Sequence, residues 1–360
     1  MPEVSRVSEA DYAALSAFLA DFPEDESGSA ESWLRHMHTW WDLNPAFDDA
    51  FTRGWLLHEQ GEIVGFLGAI PWKFQLGGQE TTVFAGTTWR VLPEHRGMSI
   101  ALKRRQMDEH VDVLHFSTTP RAEVERLLTL LGYEPMRSGE GDETHSAIIL
   151  NFEKLFQAKF NLRATGRALA KSAEPTLRAI QRLRMRRLRH CAHERVRELH
   201  HADEAFDELW QRTKTRYPST NIRTAEAINW YCFSSPESKK TLLGYFDGDR
   251  LAGYIVFLSA ERRGVRFFEC VDLWIEPGPR HEVILGALIE KARRCAKEAS
   301  FDRIYLPHFD RAAGETYDRL GLLRMSGARR PGYYIGPSEL MHQLRPANSY
   351  LVLAQGDYGL

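Results

Sequence analysis

Two stretches of this 360-residue chain follow one plan, and that internal repeat limits the folds open to it more than any other feature. A helix-like opening runs from Arg6-Val7 to Ala13-Leu15 in the first half and from Arg195-Val196 to Phe206-Leu209 in the second. Each leads to an aromatic patch followed by a proline: Trp40-Trp41 with Pro45, and Trp230-Tyr231 with Pro236. Leu56 to Phe66, with Gly61 at its centre, reads as strand, tight turn and strand, and so does Leu243 to Tyr254 around Gly248. A further strand then closes on proline in both halves, Trp89-Arg90-Val91-Leu92-Pro93 and Leu273-Trp274-Ile275-Glu276-Pro277. An apolar-periodic helix, a strand (Val113 to Phe116; Ile304 to Pro307) and a helix ending on leucine-glycine (Leu131-Gly132-Tyr133; Leu320-Gly321-Leu322) complete each copy.

The intervals agree as well as the order. Turn glycine to strand proline is 32 residues in the first half and 29 in the second, and that proline to the closing glycine is 39 and 44. Random apolar runs seldom keep both, so the chain reads as two copies of one α/β unit. With 43% hydrophobic residues it can bury two cores of ordinary domain size. A formal net charge of -2 argues against whole-molecule attraction to nucleic acid or anionic lipid while permitting a local basic patch. No segment has the uninterrupted apolar length of a membrane span, and Met1-Pro2-Glu3 lacks the layout of a secretion signal, so a cytoplasmic protein is expected. Cys191, Cys232, Cys270 and Cys295 form no CxxC pair, which indicates neither a disulfide framework nor a zinc knuckle.

Chemistry concentrates at Val91 to Leu102, where a strand end passes into a helix. A proline that stops strand pairing, followed by a turn with glycine and small residues, predicts unpaired backbone N–H groups at a helix N-terminus, which favour a diphosphate. Gly97, Ser99 and Ala101 keep side-chain bulk off that backbone, and Arg96 adds a fixed positive charge. Glu94 and His95 lie on the turn and are expected to be solvated.

This stretch resembles the acyl-CoA-binding signature of the GNAT N-acetyltransferase superfamily, an R-x-x-G-x-G/A turn that holds the pyrophosphate of coenzyme A. The chain supplies Arg96, Gly97, Met98, Ser99, Ile100 and Ala101, departing from the pattern at Ser99, where glycine is usual. The order from Arg6 to Leu150 is similar to a complete GNAT unit, and the second half to a degenerate copy. The resemblance implies an α/β (α+β) fold of two tandem GNAT-like acyl-CoA N-acyltransferase domains, each a twisted mixed sheet flanked by helices. The division expected is 1–152 for the cofactor-binding copy, 153–194 for a basic helical linker and 195–360 for the degenerate copy.

The resemblance also implies an activity: transfer of an acetyl or other short acyl group from acyl-CoA to an amine, such as that of an amino sugar or other small metabolite. Acetyl-CoA would be a co-substrate held by Val91, Leu92 and Arg96 to Ala101, with a backbone N–H near Val91 polarising the thioester carbonyl. The family's acid is commonly a tyrosine four residues before the closing glycine. That position is Leu128 in the first half and Tyr317 in the second. His115, beside the expected thioester, has a suitable intrinsic pKa for a base. Strand Phe84 to Trp89 carries no carboxylate, whereas Glu269 and Asp272 lie on the matching strand of the second half. At the second junction, Pro277-Gly278-Pro279-Arg280-His281-Glu282, a proline removes a donor and Glu282 brings negative charge, so no diphosphate is expected there.

Metal is not expected: His36 and His38, or His190 and His193 around Cys191, come without a third ligand at recognised spacing. The tryptophans read mainly as core, although Trp40-Trp41 near Asn44-Pro45 could line an acceptor pocket. From Lys154 to Arg197 runs the strongest basic segment, with Arg178, Arg182, Arg184, Arg186, Arg187 and Arg189 on one predicted helix begun by Pro175. It reads as an amphipathic connector with a solvated arginine face, or as an arm for an anionic partner such as tRNA, a nucleotide-linked sugar, a lipid diphosphate or a membrane surface. Two further readings therefore stay open: a tRNA-dependent aminoacyl transferase of GNAT-like fold, and a non-catalytic ligand-binding pseudoenzyme.

Overall fold

A computed structural model describes residues 3–23, 28–118, 120–136, 144–160, 164–235, 237–326, 332–354 and 356–360, with main chain alone for 158–160 and 164–170. Pro236, paired above with the second aromatic patch, lies outside the described residues. The first repeat runs Glu3–Arg6 (β1), Tyr12–Ala20 (α1), Ala30–Met37 (α2), Gly54–Glu59 (β2), Glu62–Leu76 (β3), Gln79–Val91 (β4), Ser99–Glu109 (α3), His115–Ser117 (β5), Ala122–Leu130 (α4), Glu134–Pro135 (β6) and Thr144–Ile149 (β7). Phe152–Phe160 (α5) and Ala164–Arg184 (α6) follow. The second repeat comprises Val196–Leu199 (β8), Glu204–Thr213 (α7), Ser219–Asn221 (β9), Ala225–Phe233 (α8), Lys240–Asp247 (β10), Arg250–Arg262 (β11), Val265–Ile275 (β12), His281–Glu298 (α9), Arg303–Pro307 (β13), Arg311–Arg319 (α10), Leu323–Ser326 (β14), Tyr333–Ile335 (β15) and Ser349–Tyr350 (β16).

These elements form two mixed sheets of one topology. The first is ordered β1-β2-β3-β4-β5-β15-β6 and the second β8-β10-β11-β12-β13-β7-β14, with β9 on β3 and β16 on β9 extending the first. Position by position the orders match, with one exchange: β7 of the first repeat lies in the second sheet, and β15 of the second repeat lies in the first. Ile149 pairs with Arg303 and His145 with Pro307 on one side, while Tyr333 pairs with Ser117 and Ile335 with His115 on the other. Sheet membership therefore does not follow the division at 152 and 195. Each strand is buried on both faces where it lands, β7 through Ala147, Ile148 and Ile149 and β15 through Tyr333 and Tyr334.

Local chemistry fixes the elements. Gln60 and Gly61, at φ 53° and 89°, make the tight β2–β3 turn, with both central residues in the left-handed region that such hairpins require. Asp203, Thr224 and Asp310 cap α7, α8 and α10 through their side-chain oxygens. Ile284, Leu285, Leu288, Ile289, Ala292 and Ala296, spaced at three and four residues, are the buried face of α9. Between the repeats an aromatic seam closes: Trp72 meets Trp230 edge-on at 4.7 Å, and the Trp230 indole donates to the Thr39 carbonyl at 2.7 Å. Trp40 and Trp41 are buried in the same core, which leaves them no face for an acceptor.

The basic segment is helical, but α6 does not begin at Pro175; it spans Ala164–Arg184 and runs through that proline. Pro175 cannot donate to the carbonyl one turn back. Side-chain bonds support the helix beyond it, with Glu174 accepting from Arg178 at 2.7 Å and Gln181 bonding both the N–H and the C=O of Ile149 as a neighbouring strand would. Gly321, at φ 80°, lets the end of α6 cross the closing corner of the second repeat, because a Cβ there would stand 2.1 Å from the Arg184 carbonyl oxygen.

Candidate active site

Strands β4 and β5 run parallel and pair only at Phe84 with His115 and Ala85 with Phe116. Beyond those residues β4 continues to Val91 while β5 stops at Ser117, so the sheet opens into a wedge. A bulge turns β4 within it: Gly68 faces Thr87 and Phe66 faces Arg90, which leaves one extra residue on β4, and Thr88 takes φ 50°. A non-glycine residue at positive φ is strained, and such strain concentrates at functional positions.

Past the bulge, Val91 is buried, the Leu92 N–H donates to the Val64 carbonyl, and Pro93–Met98 form a 3₁₀ turn that feeds α3. The amides of His95 and Ser99 are used inside this turn, donating to the carbonyls of Leu92 and Arg96, so fewer donors face outward than the sequence suggests. Arg96, Gly97 and Met98 are exposed, Ser99, Ile100 and Ala101 half-buried, and a Cβ on Gly97 would meet nothing within 4 Å. An open groove of 520 Å³ lies along Gly97, Met98, Ile100 and Ala101 and is bordered by Arg104, Arg105 and Asp108. Arg105 is paired with Glu109; Arg104 has no ion-pair partner among the described residues. Room, helix N-terminus and cation suit a phosphate-bearing ligand.

At the equivalent junction of the second repeat the charged side chains are paired. Arg280 is bonded to Asp247 at 2.6 Å and to the Tyr245 hydroxyl at 3.2 Å, and Glu282 is bonded to Arg319 at 2.8 Å. Its charged groups are thus committed to one another.

The two side chains expected to move protons are placed otherwise than the wedge requires. His115 is buried, its Nε2 at 3.2 Å from the His110 carbonyl oxygen and its ring stacked on Phe84. Burial, then the neighbouring Lys103, push its pKa down to about 3, so the imidazole is neutral and a weak base. Tyr317 is fully buried on α10, in the second unit, beside the His308 ring; burial holds its pKa well above the usual phenol range, and its hydroxyl has no hydrogen-bond partner among the described residues. The structure does not bring the two together. Of the second-repeat carboxylates, Asp272 is saturated by Arg223, Tyr254 and the Leu273 N–H, and Glu269 accepts from Tyr358 and Arg262. His36 bonds the Ser32 carbonyl and His38 bonds Asp42, and no group of three or more metal-type ligands occurs among the described residues.

Two ionisable groups that sequence reasoning missed do flank the wedge. The C-terminal segment returns along the second sheet, where the Ala354 N–H donates to the Val271 carbonyl, and carries Asp357 into the first repeat. Its carboxylate accepts from Thr87 Oγ1 at 2.9 Å and from Thr118 Oγ1 at 3.2 Å, and so spans the parted strands. Gly356 permits the approach, since a Cβ there would lie 2.4 Å from Thr118 Oγ1. Beside the neighbouring Gly86 stands Lys103: a Cβ on that glycine would be 3.3 Å from its Nζ. Because successive strand residues point to opposite faces, Asp357 at Thr87 and Lys103 at Gly86 approach β4 from opposite sides. Lys103 is 2% exposed, donates to Gln106 Oε1 at 2.6 Å and lies 4.9 Å from the centre of the Tyr133 ring. Burial lowers its pKa to about 7.

No protein-family model matches the sequence, and no curated protein matches it. Solved structures match over most of the chain. A GCN5-related N-acetyltransferase from Anabaena variabilis aligns with a TM-score of 0.56 at 14% identity over 93% of this chain and 72% of its own. N-myristoyltransferase of Saccharomyces cerevisiae with bound myristoyl-CoA gives 0.54 at 14% identity over 93% and 79%. A GCN5-related N-acetyltransferase from Kribbella flavida gives 0.53 at 16% over 93% and 70%. The likeness includes both repeats, and the chain has the GNAT fold in tandem.

Proposed function

We propose that this chain is an acyl-CoA-dependent N-acyltransferase that transfers an acetyl or other short acyl group to the amine of a small molecule. The observation that carries the reading is a carboxylate and a buried amine on opposite faces of one strand, at the mouth of a wedge that ends on a phosphate-sized turn. Acyl-CoA fits with its diphosphate against Arg96 to Ala101 and its thioester in the wedge, where a β4 N–H beyond the bulge meets the carbonyl oxygen. Asp357 accepts a proton from the incoming amine as its nitrogen attacks the thioester carbon. The C–S bond then breaks, and the Lys103 ammonium supplies the proton that the departing thiolate needs. With a pKa of about 7 it is a stronger acid than an ordinary thiol, so this transfer runs downhill. Lys103 thereby takes the part that Leu128 cannot, and the products are an amide and free thiol. The fold of the solved relatives, whose names are those of N-acyltransferases, supports the same reading.

Calorimetric titration and a thiol-release assay across a panel of amines test it. Acetyl-CoA is expected to bind the wild-type chain and the Arg280→Glu variant alike, whereas Arg96→Glu abolishes binding. Equal losses in the two variants, or no response at millimolar ligand, would contradict the assignment.

A further inference from the structure

The arginine-rich helix plays no part in the wedge, yet its surface has a composition of its own. Between Lys171 and Arg189 the only carboxylate is Glu174, in a chain whose formal net charge is -2. Leu177, Gln181 and Met185 turn α6 toward the second sheet. The opposite face presents Ile180 and Leu183, which are 51% and 70% exposed and one helical turn apart. Arg182 and Arg184 flank them on the helix, and Arg186 and Arg187 stand on the turn just beyond it, all exposed. On the sheet-facing side of the helix, away from Ile180 and Leu183, a groove of 410 Å³ is lined by Gln181 and Met185 with Arg178, Arg182, Arg189 and Arg293. Glu174 pairs with Arg178 and Glu290 with Arg293, both at 2.7 Å. Arg182, Arg186, Arg187, Arg189 and Lys297 have no ion-pair partner among the described residues.

We propose that this face docks the protein on an anionic lipid bilayer, with Ile180 and Leu183 entering the headgroup boundary and the exposed arginines beside them, Arg182, Arg186 and Arg187, meeting the lipid phosphates. Apolar side chains flanked by unpaired arginines on an exposed helix are what an interfacial helix needs, since the apolar groups enter the acyl boundary while the cations stay with the phosphates. A nucleic acid would use the cations alone and leave two large aliphatic side chains in water. No helix of the described residues is long and apolar enough to cross a membrane, so the contact is peripheral. The proposal is independent of the acyl-transfer reading, because binding is measured without turnover.

Cosedimentation of the full chain with vesicles of pure phosphatidylcholine, or of phosphatidylcholine containing phosphatidylglycerol, reads it directly. Binding is expected only to the anionic vesicles and is expected to weaken as salt rises. Near an anionic surface each arginine contributes about fivefold to partitioning, so combining Arg182→Gln, Arg186→Gln and Arg187→Gln lowers it about a hundredfold. Ile180→Ser with Leu183→Ser leaves weak binding that is lost at lower salt than in the wild type. All five positions are exposed, and an unchanged Tm checks the fold. Absence of binding to anionic vesicles, or equal binding by the arginine variant, overturns the proposal. So does tRNA binding that the same substitutions abolish, in a chain that ignores vesicles.

Discussion

Asp357 touches both lips of the wedge through the hydroxyls of Thr87 and Thr118, a position from which an oxygen can take a proton where an amine would enter. Asparagine keeps the shape and an accepting oxygen but is not a base. Asp357→Asn is therefore expected to lower kcat about a hundredfold or more, while acetyl-CoA binding stays within about twofold by calorimetry. Lys103 obeys a different logic, because burial penalises its charged form. In the folded chain it loses its proton near pH 7, and in the unfolded chain only near pH 10, so between those values the unfolded state holds the extra proton. Stability from this residue consequently rises with pH across that window and is lowest below pH 7. Lys103→Met, with a similar length and no charge to desolvate, is expected to raise stability at pH 6 on the order of 3 kcal/mol and to remove this rise. Denaturant unfolding at pH 6 and pH 9 measures it, and an unchanged pH slope would mean that the amine is solvated in the native protein.

At the scale of elements, the reciprocal placement of β7 and β15 makes each sheet depend on the other repeat's chain. β15 stands between β5 and β6, on the far side of the wedge from β4. Residues 1–152 alone would leave β5 with a row of unpaired backbone groups, and residues 195–360 would leave β13 in the same state. Each half expressed separately is expected to be aggregated or unfolded, and the two together to regain the far-ultraviolet circular dichroism and cooperative melting of the intact chain. Independent cooperative folding of either half would show that the exchange is not needed for its stability. Local sequence gave no means of seeing the exchange, because a short apolar strand satisfies its burial and hydrogen bonds in either sheet. The hairpin around Gly61, the strand closing near Pro93 and the helix after it were legible, since turn chemistry and apolar spacing are properties of a few neighbouring residues. The course of α6 was not, because side-chain bonds around Glu174 and Gln181 support a helix that runs through Pro175.

For the molecule as a whole, the repeat was legible from order and interval, and so was the contrast between its two junctions, where Pro279 and Glu282 replace the open turn at Gly97. The proton-handling groups were not. Asp357 is 270 residues from Thr87 and sits in a segment without periodicity, while Lys103 opens a Lys-Arg-Arg run that reads as a solvated face until Gly86 is seen opposite it. In the proposed function one copy of the duplicated fold binds the nucleotide, while the other, whose charges are paired in Arg280–Asp247 and Glu282–Arg319, does not. Gly97→Val addresses it cleanly, because the added side chain enters open space and spares the fold but covers the amides that a phosphate must reach. The decisive measurement is calorimetric titration of acetyl-CoA into the wild-type chain and this variant, with Tm as the check on folding. One molecule bound per chain, with affinity falling at least about tenfold in Gly97→Val at unchanged Tm, is the predicted result. Two molecules per chain, or a variant that binds as tightly as the wild type, would contradict it.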